Sequence, residues 1–280
     1  MKSNYIVSLG ILVSLMISVG SCNKQEPTLL VTPKSSHTDI TPIKTDVKML
    51  TITGGKYLPF YSSDDSLVKV ETFLIDEHPV TNQDYLLFVK ANPQWRRSQI
   101  KKIFEDGNYL KHWVNDTTLP VNSNPQAAIC NVSWYAAKAY AKAVGKRLPT
   151  LDEWEFVAMA DTDTSNARSK KSYSDNIVNL YLEKNRQLNP VKQSAANYWG
   201  VYNMFDLVWE WTDDFNSVLV SGESRAGEYG DKNLVCAAGA TSATDVLNYA
   251  AFMRFGLRTS LKANYTVNNL GFRCAKDINH

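Results

Sequence analysis

The chain has 280 residues, and its 30 Lys plus Arg against 28 Asp plus Glu leave a formal charge of +2. So even a balance carries no electrostatic footprint for nucleic acid, which is excluded as a partner. With 44% hydrophobic and only 21% charged residues, the composition is that of a globular protein with a sizeable core rather than a disordered one.

Lys2 followed by the mostly apolar run Ile6 to Val19 reads as a signal peptide over residues 1–21, too short to span a bilayer comfortably. The run ends in Val19, Gly20, Ser21 and Cys22, which resembles the bacterial lipobox. In that motif small residues admit a peptidase and the Cys22 thiol receives the lipid; several acyl chains hold a protein on a membrane where one would not. The expected location is the bacterial cell envelope, lipid-anchored, facing the periplasm or the outer membrane. Residues 22–47, rich in Pro, Ser, Thr and Lys, are expected to form a flexible tether, and residues 48–280 one domain without internal repeats.

Within the domain, Leu50 to Thr53 and Leu67 to Ile75 are β-rich, with Gly54 and Gly55 expected to form the turn after the first strand. A helix capped by Thr81 or Asn82 places Tyr85, Phe88 and Val89 on one face, and Pro93 stops it. Ser133 caps a second helix with Trp134, Ala137, Ala141 and Val144 in a stripe, and Gly145 suits the left-handed position past its end. Thr150 with Glu153 is a capping box, opening a third helix that turns Trp154 and Val157 inward. Asp161 to Lys184 loses periodicity and reads as an exposed insertion; beyond Asn197 the chain is rich in aromatics and short of regular period. With Cys22 lipidated, Cys130, Cys236 and Cys274 remain, so one disulfide at most can form, three pairings are open, and a buried unpaired thiol is the commonest fate of each.

Several segments carry a family resemblance: Gly54 and Gly55; Pro79 to Asn82 with Tyr85 and Phe88; Asn131 to Trp134; Gly145 to Thr150 with Glu153 and Trp154; Gly200 with Tyr202 to Met204; Val208 to Trp211; and Asn269 to Cys274. Together, in this order, they resemble the formylglycine-generating enzyme, or sulfatase-modifying factor, family. The resemblance implies an α+β fold, a variant of the C-type lectin fold with much irregular structure. Catalytic members resemble copper oxidases in which two Cys thiolates, five positions apart, hold Cu(I), for which soft sulfur is suited. The matching stretch here runs through Asp245, Tyr249, Ala250, Arg254 and Arg258, and the two thiolate positions fall on Asp245 and Ala250. Neither replaces a thiolate, so the resemblance implies a former active-site cleft without catalytic residues, and copper is disfavoured. The related non-heme iron branch needs clustered histidines, whereas His37, His78, His112 and His280 are scattered.

Where the family usually has Gly and an Asn that helps to ligate calcium, this sequence has Asp206 and Leu207. Calcium stays open through Glu210, Asp213 or Asp214, although solvated surface acids are the commoner outcome. Cys274 matches a family Cys whose usual partner position is Ala141 here, leaving Cys130 as the alternative partner. Pro93 to Ser98, Asp206 to Trp211 and Asn248 to Arg254 further resemble the NirV branch, named for members encoded beside copper nitrite reductases. That likeness implies an accessory or maturation factor for an exported protein partner linked to denitrification. Two other readings stand beside it: a metal-dependent oxidase whose copper site has moved onto Cys236, and a carbohydrate-binding module, the latter on fold analogy alone.

Overall fold

The computed structural model describes residues 39–60, 66–183, 189–217 and 246–278. Cys22, His37, Cys236, Asp245 and His280 lie outside the described residues, as do the expected signal peptide and the first part of the tether. The strands are Met49–Ile52 (β1), Gly55–Tyr57 (β2), Val68–Val70 (β3), Phe73–Asp76 (β4), Trp209–Glu210 (β5), Leu270–Gly271 (β6) and Ala275–Asp277 (β7). The helices are Asn82–Ala91 (α1), Trp134–Ala143 (α2), Leu151–Ala158 (α3), Lys171–Leu182 (α4) and Val246–Ser260 (α5). Short strands, medium helices and long irregular connections make this an α+β chain.

β4 is the centre of a three-stranded antiparallel sheet, with β1 on one side and β7 on the other; Ile52 faces Phe73 and Ala275 faces Ile75. Ile52, Phe73, Ile75 and Ala275 are buried in one core with Trp154, Phe156 and Val157 of α3, so the sheet face and the inward stripe of α3 cover each other. β2 and β3 form a small antiparallel ribbon beside it. The two early glycines do more than turn the chain. A Cβ on Gly54 would lie 2.3 Å from the Val70 carbonyl oxygen, so the close approach of two backbones requires glycine, and Gly55 already opens β2.

The second core gathers aromatic rings between α1 and α2: Tyr85, Phe88, Tyr140 and Phe272 pack in stacked and edge-on pairs with centroids 5.3–6.2 Å apart. Thr81 is the N-cap of α1, and its capping box is closed by Asp84. Ser133 caps α2 through the Ala136 amide, and Gly145 takes a φ of +68° beyond its end. The capping box of α3 pairs Thr150 with Glu153, as its spacing suggests.

Three expectations change. The tether does not extend to residue 47: Ile40 and Ile43 pack on the α1–α2 core, the Ile43 amide donates to the Ala143 carbonyl, and buried Asn92 clasps Thr41 through both its amide and its carbonyl. Two apolar side chains spaced along a polar stretch are enough to dock it. The region 161–184 is not merely an exposed insertion either, because α4 occupies its second half and packs along α5 with Ser174 and Ile177 buried. Cys130 and Cys274 are both free and buried, in separate clusters, so the pairing considered for them does not form.

Candidate functional site

α5 carries Arg254 and Arg258 one turn apart, and the i,i+4 spacing sets both guanidinium groups on one face. Both reach a single carboxylate, Glu155 of α3. Arg254 makes a bidentate contact, Nε to Oε1 at 3.0 Å and Nη2 to Oε2 at 2.7 Å, and Arg258 Nη1 donates to Oε1 at 2.7 Å. All three side chains are buried. Burial opposes the ionisation of Glu155, but the two guanidinium groups outweigh it and hold the carboxyl at about 2. The Trp154 ring lies 4.7 Å from the Arg258 guanidinium, and the Phe205 ring 5.4 Å from that of Arg254, so aromatic faces take part of the surplus positive charge.

That surplus is the electrostatic signature of the site. Two buried cations share one buried anion, and Arg168, half-buried over Tyr57 with Nη1 on the Leu58 carbonyl, adds a third cation nearby. Among the described residues the buried Arg254 Nη1 has no hydrogen-bond partner, and an orphaned buried donor costs about 1–3 kcal/mol.

Two cavities adjoin this cluster. The larger, about 320 Å³, lies where the ends of α4 and α5 meet the 204–210 and 268–270 segments; Trp154, Tyr181, Phe205, Trp209, Arg258 and Asn269 are among its walls. The smaller, about 30 Å³, is bounded by Ala250, Arg254, Glu155, Tyr57, Arg168 and Tyr173, and has room for about one water molecule. The cleft expected from Tyr249, Ala250, Arg254 and Arg258 is therefore divided. Ala250 and Arg254 face the small void, Arg258 faces the large cavity, and Tyr249 stands half-buried beside Phe252.

Among the described residues, neither metal suggested by the sequence finds a fitting set of donors. Ala250, expected from the resemblance to stand at a thiolate position, offers only a buried methyl group. The two described thiols are separate from it and from each other, and burial pushes Cys130 up to about 12 and Cys274 well above the usual thiol range, so both are protonated and poor ligands for Cu(I). For calcium, Leu207 is buried among Ala128, Cys130, Val191 and Val208. Glu210 is enclosed, taking Arg273 at 2.8 Å and the Trp154 indole N–H at 2.8 Å. Asp213 pairs with Lys138 at 2.7 Å, and Asp214 accepts the Leu151 amide at the start of α3. The three carboxylates thus serve three different structural contacts, not one ligand shell. His78 bonds the Pro79 carbonyl, consistent with a loop residue.

Glu155, Tyr181 and Phe205 were not singled out by sequence reasoning. A signal for Glu155 existed: an acid set between Trp154 and Phe156 in the apolar half of a short helix needs a buried cation, and Arg254 and Arg258 supply two.

The family model for the Sulfatase-modifying factor enzyme 1-like domain matches residues 36–278. The chain is 27% identical over 256 residues to the formylglycine-generating enzyme of Streptomyces coelicolor, covering 75% of this chain and 80% of that protein. It is also 27% identical over 274 residues to the inactive C-alpha-formylglycine-generating enzyme 2 of Bos taurus, covering 82% of this chain and 88% of that relative. Among solved structures, CarF aligns at a TM-score of 0.45 and 16% identity over 83% of this chain and 99% of CarF.

Proposed function

The chain belongs to the sulfatase-modifying factor enzyme 1-like family, and from that premise we propose that it is a non-oxidase member, an accessory factor whose former active-site cleft binds an exported protein. The observation that carries this reading is Ala250, a buried methyl group of α5 at a position where the family resemblance calls for a copper-holding thiolate. The buried Arg254–Glu155–Arg258 cluster beside it offers charge and shape for binding but no group that cycles an electron. The bovine relative whose name describes it as inactive supports the same direction.

The test is direct. Incubated with copper, oxygen, a thiol reductant and a Cys-containing sulfatase peptide, the purified protein leaves the peptide mass unchanged, while a formylglycine-generating enzyme converts it; conversion by this protein overturns the reading.

Export and anchoring through Cys22 form the second part of the proposal, supported by the Val19 to Cys22 motif after an apolar run. Metabolic labelling with an alkyne fatty acid is expected to mark the wild-type chain and not Cys22→Ser. The likeness to the NirV branch makes an exported copper nitrite reductase the first partner to try, scored by the copper content of the reductase with and without this protein co-expressed.

A further inference from the structure

We propose that the 320 Å³ cavity binds a carboxylate carried on an apolar body, with Arg258 as the anion's contact and Trp154, Phe205 and Trp209 as its walls. The proposal rests on the binding reading above and names what the cleft recognises.

The argument begins with charge. Glu155 is the one carboxylate bonded to Arg254 and Arg258, among the described residues. Arg254 spends two nitrogens on it, and Arg258 contributes only Nη1 to the same oxygen, Oε1. A second anion would balance the pair, and the space for one lies on the Arg258 side, because Arg258 lines the large cavity whereas Arg254 faces a void of about one water. Of the other charged groups around the cavity, Glu210 is already held by Arg273 and Trp154, and Glu183 is exposed at the rim, where solvent screens it. The remaining surface decides the rest of the ligand. Indole and phenyl rings with Leu257, Leu261 and Leu270 suit an aromatic or branched aliphatic group, and the Asn268 and Asn269 segment offers polar contacts at one side. A guanidinium at the base of an aromatic pocket recognises a carboxylate bidentately and rejects the corresponding amide.

A free organic acid and the carboxyl end of a partner chain share this chemistry. The experiment therefore uses two pairs of probes on the purified full-length chain, followed by tryptophan fluorescence and calorimetry: 3-phenylpropanoate against its amide, and the peptide acetyl-Ala-Ala-Phe with a free or an amidated end. Expected is an affinity at least tenfold higher for the acid of one or both pairs, lost to the level of the amide in Arg258→Gln, which leaves a balanced Arg254–Glu155 pair. Preference for the peptide acid points to a protein terminus, and preference for the small acid to a metabolite. Leu257→Trp, which fills the cavity while keeping Arg254, Glu155 and Arg258, is expected to remove binding of both acids and decides the matter if Arg258→Gln fails to fold. Acids that bind no better than their amides, or whose affinity survives either substitution, overturn the inference while leaving the non-oxidase reading intact. Formylglycine formation would overturn that reading whatever the titration gives.

Discussion

His112 shows how one side chain ties stability to pH. Burial lowers its pKa from an ordinary 6.5 to about 4, with the Asn131 amide opposing the shift and the Arg97 guanidinium adding to it. The folded chain therefore binds the proton more weakly than the unfolded chain does. The contribution is complete above pH 6.5 and is lost as pH falls towards 4, by up to about 3 kcal/mol. Thermal melts between pH 7 and 4 are expected to fall steadily in wild type and to fall less in His112→Phe, whose ring keeps the edge contact with Trp113. Equal slopes in the two proteins would assign the acid sensitivity to other groups. Glu155, held at about 2, adds a loss of its own once the unfolded chain protonates its carboxylates below about pH 5, but that loss is common to both proteins and cancels in the comparison.

At the scale of elements, local grammar and tertiary contact divide the work unequally. In α3 the Thr150 hydroxyl accepts from the Glu153 amide, and the Glu153 carboxylate returns to the Thr150 amide while also taking Arg147 in a bidentate pair at 2.7 Å. Thr150→Ala removes one half of that box and is expected to cost about 1 kcal/mol, a drop of about 2–4 °C in Tm for a domain of this size, measured by calorimetry. Because Arg147 still holds Glu153, Glu153→Ala is expected to cost more. These caps were legible in the sequence, as were β1, the β-rich stretch Leu67 to Ile75 that the structure divides into β3 and β4, and the inward faces of α1 and α3, because each is specified by residues within four positions of one another. α4 was not legible. Tyr173, Ile177 and Tyr181 fall at i, i+4 and i+8, but the Lys, Ser and Asn around them and a start without a side-chain cap hid that stripe, which packs on α5 and Phe205 across the chain. The docking of residues 40–43 was hidden for the same reason, since it depends on Asn92 about fifty positions away.

On the scale of the whole molecule, the motifs that made the family legible turn out to be the residues that fasten distant segments together. The Trp211 indole donates to the Val132 carbonyl, and Trp134 donates to that of Thr212, so the Val208 to Trp211 and Asn131 to Trp134 segments clasp each other. Gly271 lies under the Ile129 carbonyl, where a Cβ would approach to 2.2 Å. The scaffold could therefore be read from sequence, whereas the site could not be read fully, because a motif that fastens the fold does not specify which side chains meet in the cleft beside it. Arg254 and Arg258 were found, but their partner and their cavity required coordinates. The central fastening is Arg273 with Glu210, both side chains fully enclosed: Arg273 donates to both carboxylate oxygens and also to the carbonyls of Tyr202 and Asn203, joining β5, the segment after β6 and the 202–203 turn. Arg273→Met removes the cation and strands a buried carboxylate whose remaining donor is the Trp154 indole. The expected loss is about 3–5 kcal/mol in urea denaturation. Adding Glu210→Leu to that variant removes the stranded charge and is expected to recover a large part of the loss, since a pair replaced by apolar groups costs far less than a pair broken on one side. A single Arg273→Met variant within 1 kcal/mol of wild type would mean that the Arg273 guanidinium, through its ion pair and its carbonyl contacts alike, does not hold the three segments together.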